Sequence, residues 1–518
     1  MSTDDFEYLG CPCGTDVSTV NAFVARKLEN SCLRARRVSR LPEAAQASYA
    51  LLRFCVIPSA IFYARSAGPL ARDALTAFDN AVMTSFCTAA LELSGDHEKM
   101  ARLPTAAGGL GLKRTADLAA VYRAAATHKT LRLATSLLPP GFDPIAAGTE
   151  PFFAASVTEL KARHPNLPHV DAASNDVSAN VPLERGELAA VKTDVRPAWL
   201  RSLLRDDQQL RLSLAGASLV ERARAQSAMA DHASAWLAPR AGSAVGPDDW
   251  LTNNEFCTLV RLRLGLYLRT PDRCPMCDDG VGCKGLKLEQ HALHCGTGMS
   301  NVITRHNYIR DVLFALCDEA GLGPRREFAP LTDPTRRIDL VIKSAPGHGL
   351  ATIAIDATVY NPLSQRYLLA AAGAPGGATV FAASNKRRQY PNAVRDGVVL
   401  KAFGLDALGA FGKEAFEMCS YIGRQLAAVR DTQHAPCTAE VKAAVSRALA
   451  QQTARMLIAR MGTLDKLPPA SVVPVPATTL VEADVSSRCC SPPQSVQGDD
   501  GQVSCVVDAV THDRLAML

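Results

Sequence analysis

Cys274 and Cys277 stand in CPMC, and His291 and Cys295 in the HALHC that follows. Two thiolates on one tight turn form the usual first half of a zinc site. A His at i and a Cys at i+4 face the same way on a helical turn, so all four groups can reach one ion. Thiolate and imidazole ligands favour Zn2+ over hard cations. Four protein ligands leave no open position, so the ion is expected to be structural and to stabilise a small module. Cys283, between the pairs, and His294, beside Cys295, compete for the same role. The alternative is a set of buried thiols with a surface histidine.

A second group of residues points to different chemistry. Asp339 begins the apolar run DLVIK, and Asp356 lies near the end of ATIAIDATV. A bare carboxylate among Ile, Val and Ala is destabilising by several kcal/mol unless a partner or metal satisfies it. Adjacent strands can bring two such groups to one edge, where they bind Mg2+ or Mn2+ and leave waters in place. The metal lowers the pKa of a bound water and offsets charge on a scissile phosphate. A lysine can orient that water or stabilise the transition state. Lys386 is the candidate, on a following helix, with Tyr390 one turn further on the same face. Structural pairing of both aspartates with Arg336 or Arg337 explains the pattern equally well.

The elements that must position these groups follow from periodicity. Leu75, Phe78, Val82 and Phe86 fall on one helical stripe, as do Tyr49, Leu52, Cys55 and Val56, so residues 20–135 are expected to be helical. The glycine-rich LPTAAGGLGLK, from Leu103 to Lys113, lacks the form of a phosphate-binding loop and is expected to be a tight structural turn. Residues 138–195, rich in Pro, Asn, Ser and Asp, form a loose connection, and helix returns over 196–240. LVRLRLGLYL, Leu259 to Leu268, fits either a strand or a short helix. Residues 303–320 are helical and end at Gly321 and Gly323-Pro324. Two strands, 339–343 and 351–359, are followed by helix over 400–460. A Pro- and Ser-rich tail follows, expected to be disordered.

At 518 residues the chain has room for several domains, and its 47 % apolar content is that of ordinary globular cores. The net charge is only +5, but basic residues cluster. The clusters are Arg34, Arg36, Arg37 and Arg40; Arg261, Arg263, Arg269 and Arg273; Arg325, Arg326, Arg336 and Arg337; and Lys386, Arg387 and Arg388. Gathered on one face they would favour a polyanion; scattered, they are solvated arginines. Sixteen cysteines with no secretory leader pattern are expected to be reduced inside a cell, where a Cys cluster more often means metal than disulfide. No run of 18 or more apolar residues predicts a membrane span.

The order of these pieces resembles the C-terminal half of non-LTR retrotransposon polyproteins that carry a restriction-enzyme-like endonuclease. CPMC…HALHC looks like their CCHC zinc knuckle, and TRHNYIRDVLF like the helix after it. GLGPRREFAPL and RRIDLVI look like the first nuclease strand, AIDATVYNPL like the second, and NKRRQY like the lysine/tyrosine helix. Upstream, LLRFCVIPSAIFYARSAGP, AFDNAV and LPTAAGGLGL look like the region after a polymerase palm. The likeness covers roughly residues 8–430. No Tyr or Phe stands two residues before an Asp-Asp pair, so the YxDD polymerase signature is missing. Reverse transcription is not expected from this chain alone. Ile338 stands where proline is usual, Thr358 where the lysine commonly sits, and Gln389 where a second basic residue is common.

The resemblance implies a multidomain chain with a mostly α N-terminal region, then a zinc knuckle and an α/β nuclease domain of PD-(D/E)XK type. Its expected parts are a thumb-like helical region, 1–137; a connection, 138–195; a basic helical segment, 196–256; the knuckle, 257–300; the endonuclease, 301–460; and the tail, 461–518. Asp339, Asp356 and Lys386 become the catalytic candidates, with Tyr390 accessory. Asp339 and Asp356 would hold Mg2+ or Mn2+, and Cys274, Cys277, His291 and Cys295 would hold Zn2+. Arg305, His306, Arg310, Arg337, Arg387 and Arg388 are the candidate nucleic-acid contacts. DNA is the implied partner, with the element's RNA and a polymerase half in trans as further ones, and the location intracellular and nuclear. The rival expectations are a non-catalytic nucleic-acid-binding remnant of the same fold, and an unrelated helical scaffold whose aspartates form salt bridges.

Overall fold

The computed structural model describes residues 6–8, 10–13, 16–137, 195–238, 250–266, 291–293, 295, 299–328, 337–343, 352–389 and 398–460, with a few positions between 156 and 162. All of them belong to the compact unit Met1–Asp465. Most of the expected connection (138–195), the expected tail (461–518), Cys274, Cys277 and Tyr390 lie outside the described residues.

The N-terminal half is helical. After a short antiparallel pair, β1 (Phe6–Tyr8) and β2 (Cys11–Cys13), come α1 (Val17–Val38), α2 (Ala45–Leu51), α3 (Ile57–Ser66), α4 (Arg72–Ala89), α5 (Gly95–Arg102) and α6 (Thr115–Leu137). A π-helical turn, Leu52–Val56, joins α2 to α3. Asp16 starts α1 by accepting the Thr19 N–H at 2.7 Å, the usual role of an N-cap carboxylate. The stripe Leu75, Phe78, Val82 and Phe86 is buried as its spacing predicts. The run Ala45–Ser66 is long and apolar enough to cross a membrane, with a mean hydropathy of 1.4. Yet Tyr49, Leu52, Val56, Ile57, Ala60 and Ala64 pack into the first core, which is the pattern of a core helix. Asp79, buried on α4, caps α6 from a distance, accepting Thr115 Oγ1 at 2.7 Å and the Ala116 N–H at 3.0 Å.

The glycine-rich turn after α5 closes on an arginine. A Cβ on Gly109 would sit 2.1 Å from the Leu103 carbonyl oxygen, so only glycine fits there. Arg263, on α9 (below), donates to the carbonyls of Thr105 (2.9 Å), Gly109 (3.1 Å), Ala228 (3.0 Å) and Ala233 (3.3 Å). Its role is therefore internal. Arg211 and Arg224 are buried beside it, donating to the carbonyls of Arg263 at 3.0 Å and Leu262 at 2.8 Å. These come from α7 (Val195–Ala215) and α8 (Leu219–Met229). LVRLRLGLYL begins inside a helix, α9 (Asn253–Leu264), which a Thr252/Glu255 capping box starts and left-handed Gly265 ends. This helix runs through positions 256 and 257, where the knuckle segment was expected to begin.

The C-terminal half is a four-stranded mixed sheet with helices. Its order is α10 (Met299–Glu319), β3 (Arg325–Phe328), β4 (Ile338–Lys343), β5 (Thr352–Tyr360), α11 (Gln365–Gly373), α12 (Gly377–Gln389), β6 (Val398–Asp406), α13 (Lys413–Arg430) and α14 (His434–Arg460). The strands lie β3-β4-β5-β6; the first three are antiparallel and β6 runs parallel to β5. A parallel return needs a crossover, and α11 with α12 supply it. Residues 400–460 are therefore not helical throughout: 398–406 form a strand. Ile355 and Ala357 face a core shared with α10, α13 and α14. Asp356, Thr358 and Tyr360, at alternate positions, face the other way.

α14 joins the two halves. Val441, Val445 and Leu449 belong to the sheet's core, and Ala450 and Ala454 to the N-terminal helical core. Met456 and Leu457 join a third core with Ala292, Leu293, Cys295 and Leu363.

Candidate metal centre and active site

Strand register brings the two aspartates together. In the antiparallel pair β4–β5, Val341 opposes Ala354 and Leu340 opposes Ile355. One residue further, Asp339 stands opposite Asp356, a placement that puts Cβ atoms about 5 Å apart. Asp339 Oδ2 accepts the Ala357 N–H at 2.8 Å, and Asp339 Oδ1 meets His306 Nε2 at 2.9 Å. His306 comes from α10. Lys386, near the end of α12, brings Nζ to 2.8 Å from Asp356 Oδ2.

The two carboxylates are held differently. Burial pushes Asp339 upward, but the His306 contact and the Ala357 N–H outweigh it and leave the group below its ordinary value. Burial dominates at Asp356. Lys386 opposes it, the neighbouring Asp339 adds to it, and the carboxyl is raised to about 6. Asp356 Oδ2 is shut off from solvent, and the ammonium beside it lies outside hydrogen-bond geometry. A buried oxygen with an unused lone pair, opposite a second carboxylate, is the donor set a hard divalent cation takes. Among the described residues no three His, Cys, Asp or Glu groups converge as a metal cage. Mg2+ does not need one, since it keeps waters and binds through one or two carboxylates.

No protein-family model matches the chain, and no curated protein does.

The expected nucleic-acid contacts divide. Arg305 is 1 % exposed, and its Nη2 donates to the Leu293 carbonyl at 3.4 Å. It ties α10 to the His291–Cys295 segment and offers no surface to a phosphate. Arg310 is largely covered and lies 3.4 Å from Asp311 and Glu327. His306 is committed to Asp339. Arg337, Arg387 and Arg388 are exposed, with Arg387 paired to Glu414 and Arg337 at 3.7 Å from Glu327.

Of the four candidate thiol and imidazole ligands, His291 and Cys295 are described. The helical run ends by Ala292 and Leu293 is in a turn, so Cys295 stands beyond the helix rather than one helical turn along it. Cys295 is buried with Ala292 and Leu293 in the third core. Three polar residues beside the carboxylates carry no motif: Thr358, Tyr360 and Asn385. Strand alternation from Asp356 is the signal that locates the first two.

Proposed function

We propose that this chain is a retroelement-derived endonuclease that hydrolyses DNA phosphodiesters with a divalent metal. The observation that carries the reading is the meeting of Asp339, Asp356 and Lys386, from two inner strands and a crossover helix, on one face of the sheet at the end of the β4–β5 pairing. The element order supports it. A helix, three antiparallel strands, a helical crossover and a parallel fourth strand, with the acidic groups on the second and third strands, are compatible with a nuclease domain of PD-(D/E)XK type.

Asp339 and Asp356 would hold Mg2+ or Mn2+. The ion would acidify a bound water and offset phosphate charge. Lys386, 2.8 Å from Asp356, would turn its ammonium to a phosphate oxygen. His306 and the Ala357 N–H fix the Asp339 carboxylate. The exposed Arg337, Arg387 and Arg388 would meet a DNA backbone, a contact that positions without reading sequence. Cys274, Cys277, His291 and Cys295 would bind a structural Zn2+, a donor set suited to it. The element's RNA and a polymerase half acting in trans are the further partners this reading adds.

A second reading, a non-catalytic nucleic-acid-binding remnant, is favoured by the contacts themselves: Lys386 and His306 already lie against the two aspartates without metal. Plasmid nicking by the full chain separates the two. Mg2+-dependent nicking that is lost in Asp356→Asn and Asp339→Asn is expected. DNA binding with no nicking at any Mg2+ or Mn2+ concentration selects the remnant.

A further inference from the structure

Beyond the carboxylates, the same face of β5 carries polar groups with no hydrogen-bond partner among the described residues. Thr358 Oγ1 and Tyr360 Oη are both shut off from solvent and neither has a hydrogen-bond partner. They are neighbours, two positions apart on one face, close enough that Thr358 acts on the Tyr360 hydroxyl but short of a well-formed hydrogen bond. Asn385 Nδ2, beside Lys386 on the covering helix, is in the same condition. Buried polar groups in folded proteins are almost always paired, so several together at one place call for a ligand or bound water.

The local packing is arranged around this row. Tyr360 is 8 % exposed, its ring held against Tyr367 at 5.5 Å between centroids. Gly404 on β6 lies under that ring; a Cβ there would come within 3.2 Å of it. Burial pushes the Tyr360 hydroxyl up to about 12, so it remains protonated and donates. Thr358 can donate as well, and Lys386 only donates. The Lys386 side chain, 22 % exposed, is the member of the row that reaches solvent. A row of donors beside one ammonium is matched by an oxyanion. Asp356 would repel an anion, but Lys386 cancels its charge.

We infer that Thr358 and Tyr360, with Lys386, form an oxyanion site on that face of β5 that holds a phosphate oxygen. That the phosphate belongs to a DNA strand rests on the nuclease reading; the site itself rests on the unpaired donors. A cation held by Asp339 and Asp356 would make the surroundings positive, so phosphate affinity rises when Mg2+ is added.

The test is calorimetric titration of the full chain with inorganic phosphate, with and without Mg2+. Wild-type protein binds phosphate, more tightly with Mg2+. Thr358→Val and Tyr360→Phe, both close to isosteric, each weaken binding about fivefold or more, the range for losing one hydrogen bond to a charged group. Their melting temperatures stay near the wild-type value, and Thr358→Ser, which keeps the hydroxyl, binds as wild type. Absence of phosphate binding, meaning the row holds internal water only, overturns the inference. So does binding that both Thr358→Val and Tyr360→Phe leave unchanged. Phosphate binding of the expected pattern in a protein that never nicks DNA keeps the site and removes the nuclease reading. Nicking by a protein that fails the phosphate test does the reverse.

Discussion

Asp339 and Asp356 stand opposite each other across β4 and β5, one step past the last paired residues of that ladder. Because side chains alternate along a strand, a slip of one residue would send one of them to the opposite face. The pairing of Leu340 with Ile355, both in the sheet's core, therefore sets the distance between the carboxylates. Mn2+ should exploit that distance. At roughly a hundred times its dissociation constant, a ligand of the native state adds about 2.7 kcal/mol, or a melting shift of about 5 °C. Calorimetric melts of wild type should show it, and Asp339→Asn or Asp356→Asn should not. An equal shift in all three proteins would place the ion elsewhere.

Lys386 is the only cation within salt-bridge distance of Asp356 among the described residues. Removing one partner of a buried pair strands the other charge, while replacing both with apolar groups is often neutral. Lys386→Met is expected to lower stability by about 3 kcal/mol in urea unfolding at neutral pH, and Lys386→Met with Asp356→Leu to recover most of it. A single variant as stable as wild type would show that the pair carries no such strain.

Asp406 lies at the end of β6, fully buried. Burial raises its carboxyl to about 6, against the N–H groups of Ala410 and Leu408, each donating at 2.9 Å. In the unfolded chain the same group titrates near 3.8. Between those values the folded protein keeps a proton that the unfolded chain has lost. Stability from this group is therefore full below pH 3.8 and declines as pH rises through about 6. Asp406→Asn keeps an acceptor for both N–H groups and cannot ionise. Thermal melts should find it at least as stable as wild type at pH 7.5, by up to about 3 kcal/mol, and equal near pH 4. A variant less stable at every pH would assign the carboxylate a favourable role.

Arg263 donates to four carbonyls, in the turn after α5, the last turn of α8 and the segment after it. A lysine presents one point charge and cannot reproduce a planar fork of donors. Arg263→Lys and Arg263→Met are both expected to cost about 3 kcal/mol or more and to yield mostly insoluble protein. Soluble Arg263→Lys with wild-type melting would mean that charge alone suffices.

Metal analysis should find one zinc per chain, lost in Cys274→Ser and His291→Ala. Cys295 shares its core with Leu363, Ala371 and Ala372, so chelation should also lower the melting temperature. Zinc-free protein with unchanged melting would reduce the four ligands to ordinary thiols and imidazole.

The carboxylates were legible because charge inside an apolar strand is conspicuous, and the stripes of the N-terminal helices because their spacing repeats. β6 was not. VVLKAFGLD is covered on both faces over most of its length, so it lacks the alternation that marks a half-exposed strand, and Lys401 and Gly404 interrupt its apolar run. Arg263 and Arg305 looked like surface cations, since nothing local distinguishes an arginine bound for water from one bound for distant carbonyls. The partnership of His306 with Asp339 likewise depends on how α10 crosses the sheet, which no short window contains.

Helix α14 gives the opening helices an unusual dependence on a segment far along the chain, His434–Arg460. Its sheet-facing and helix-facing residues follow one another without a break, so neither half owns it. Cutting the chain within α14 would unseat the scaffold of the opening helices as well as the domain nearest the cut. An inserted stop codon anywhere in the last turns of α14 would act as a lesion of the whole molecule rather than of its tail.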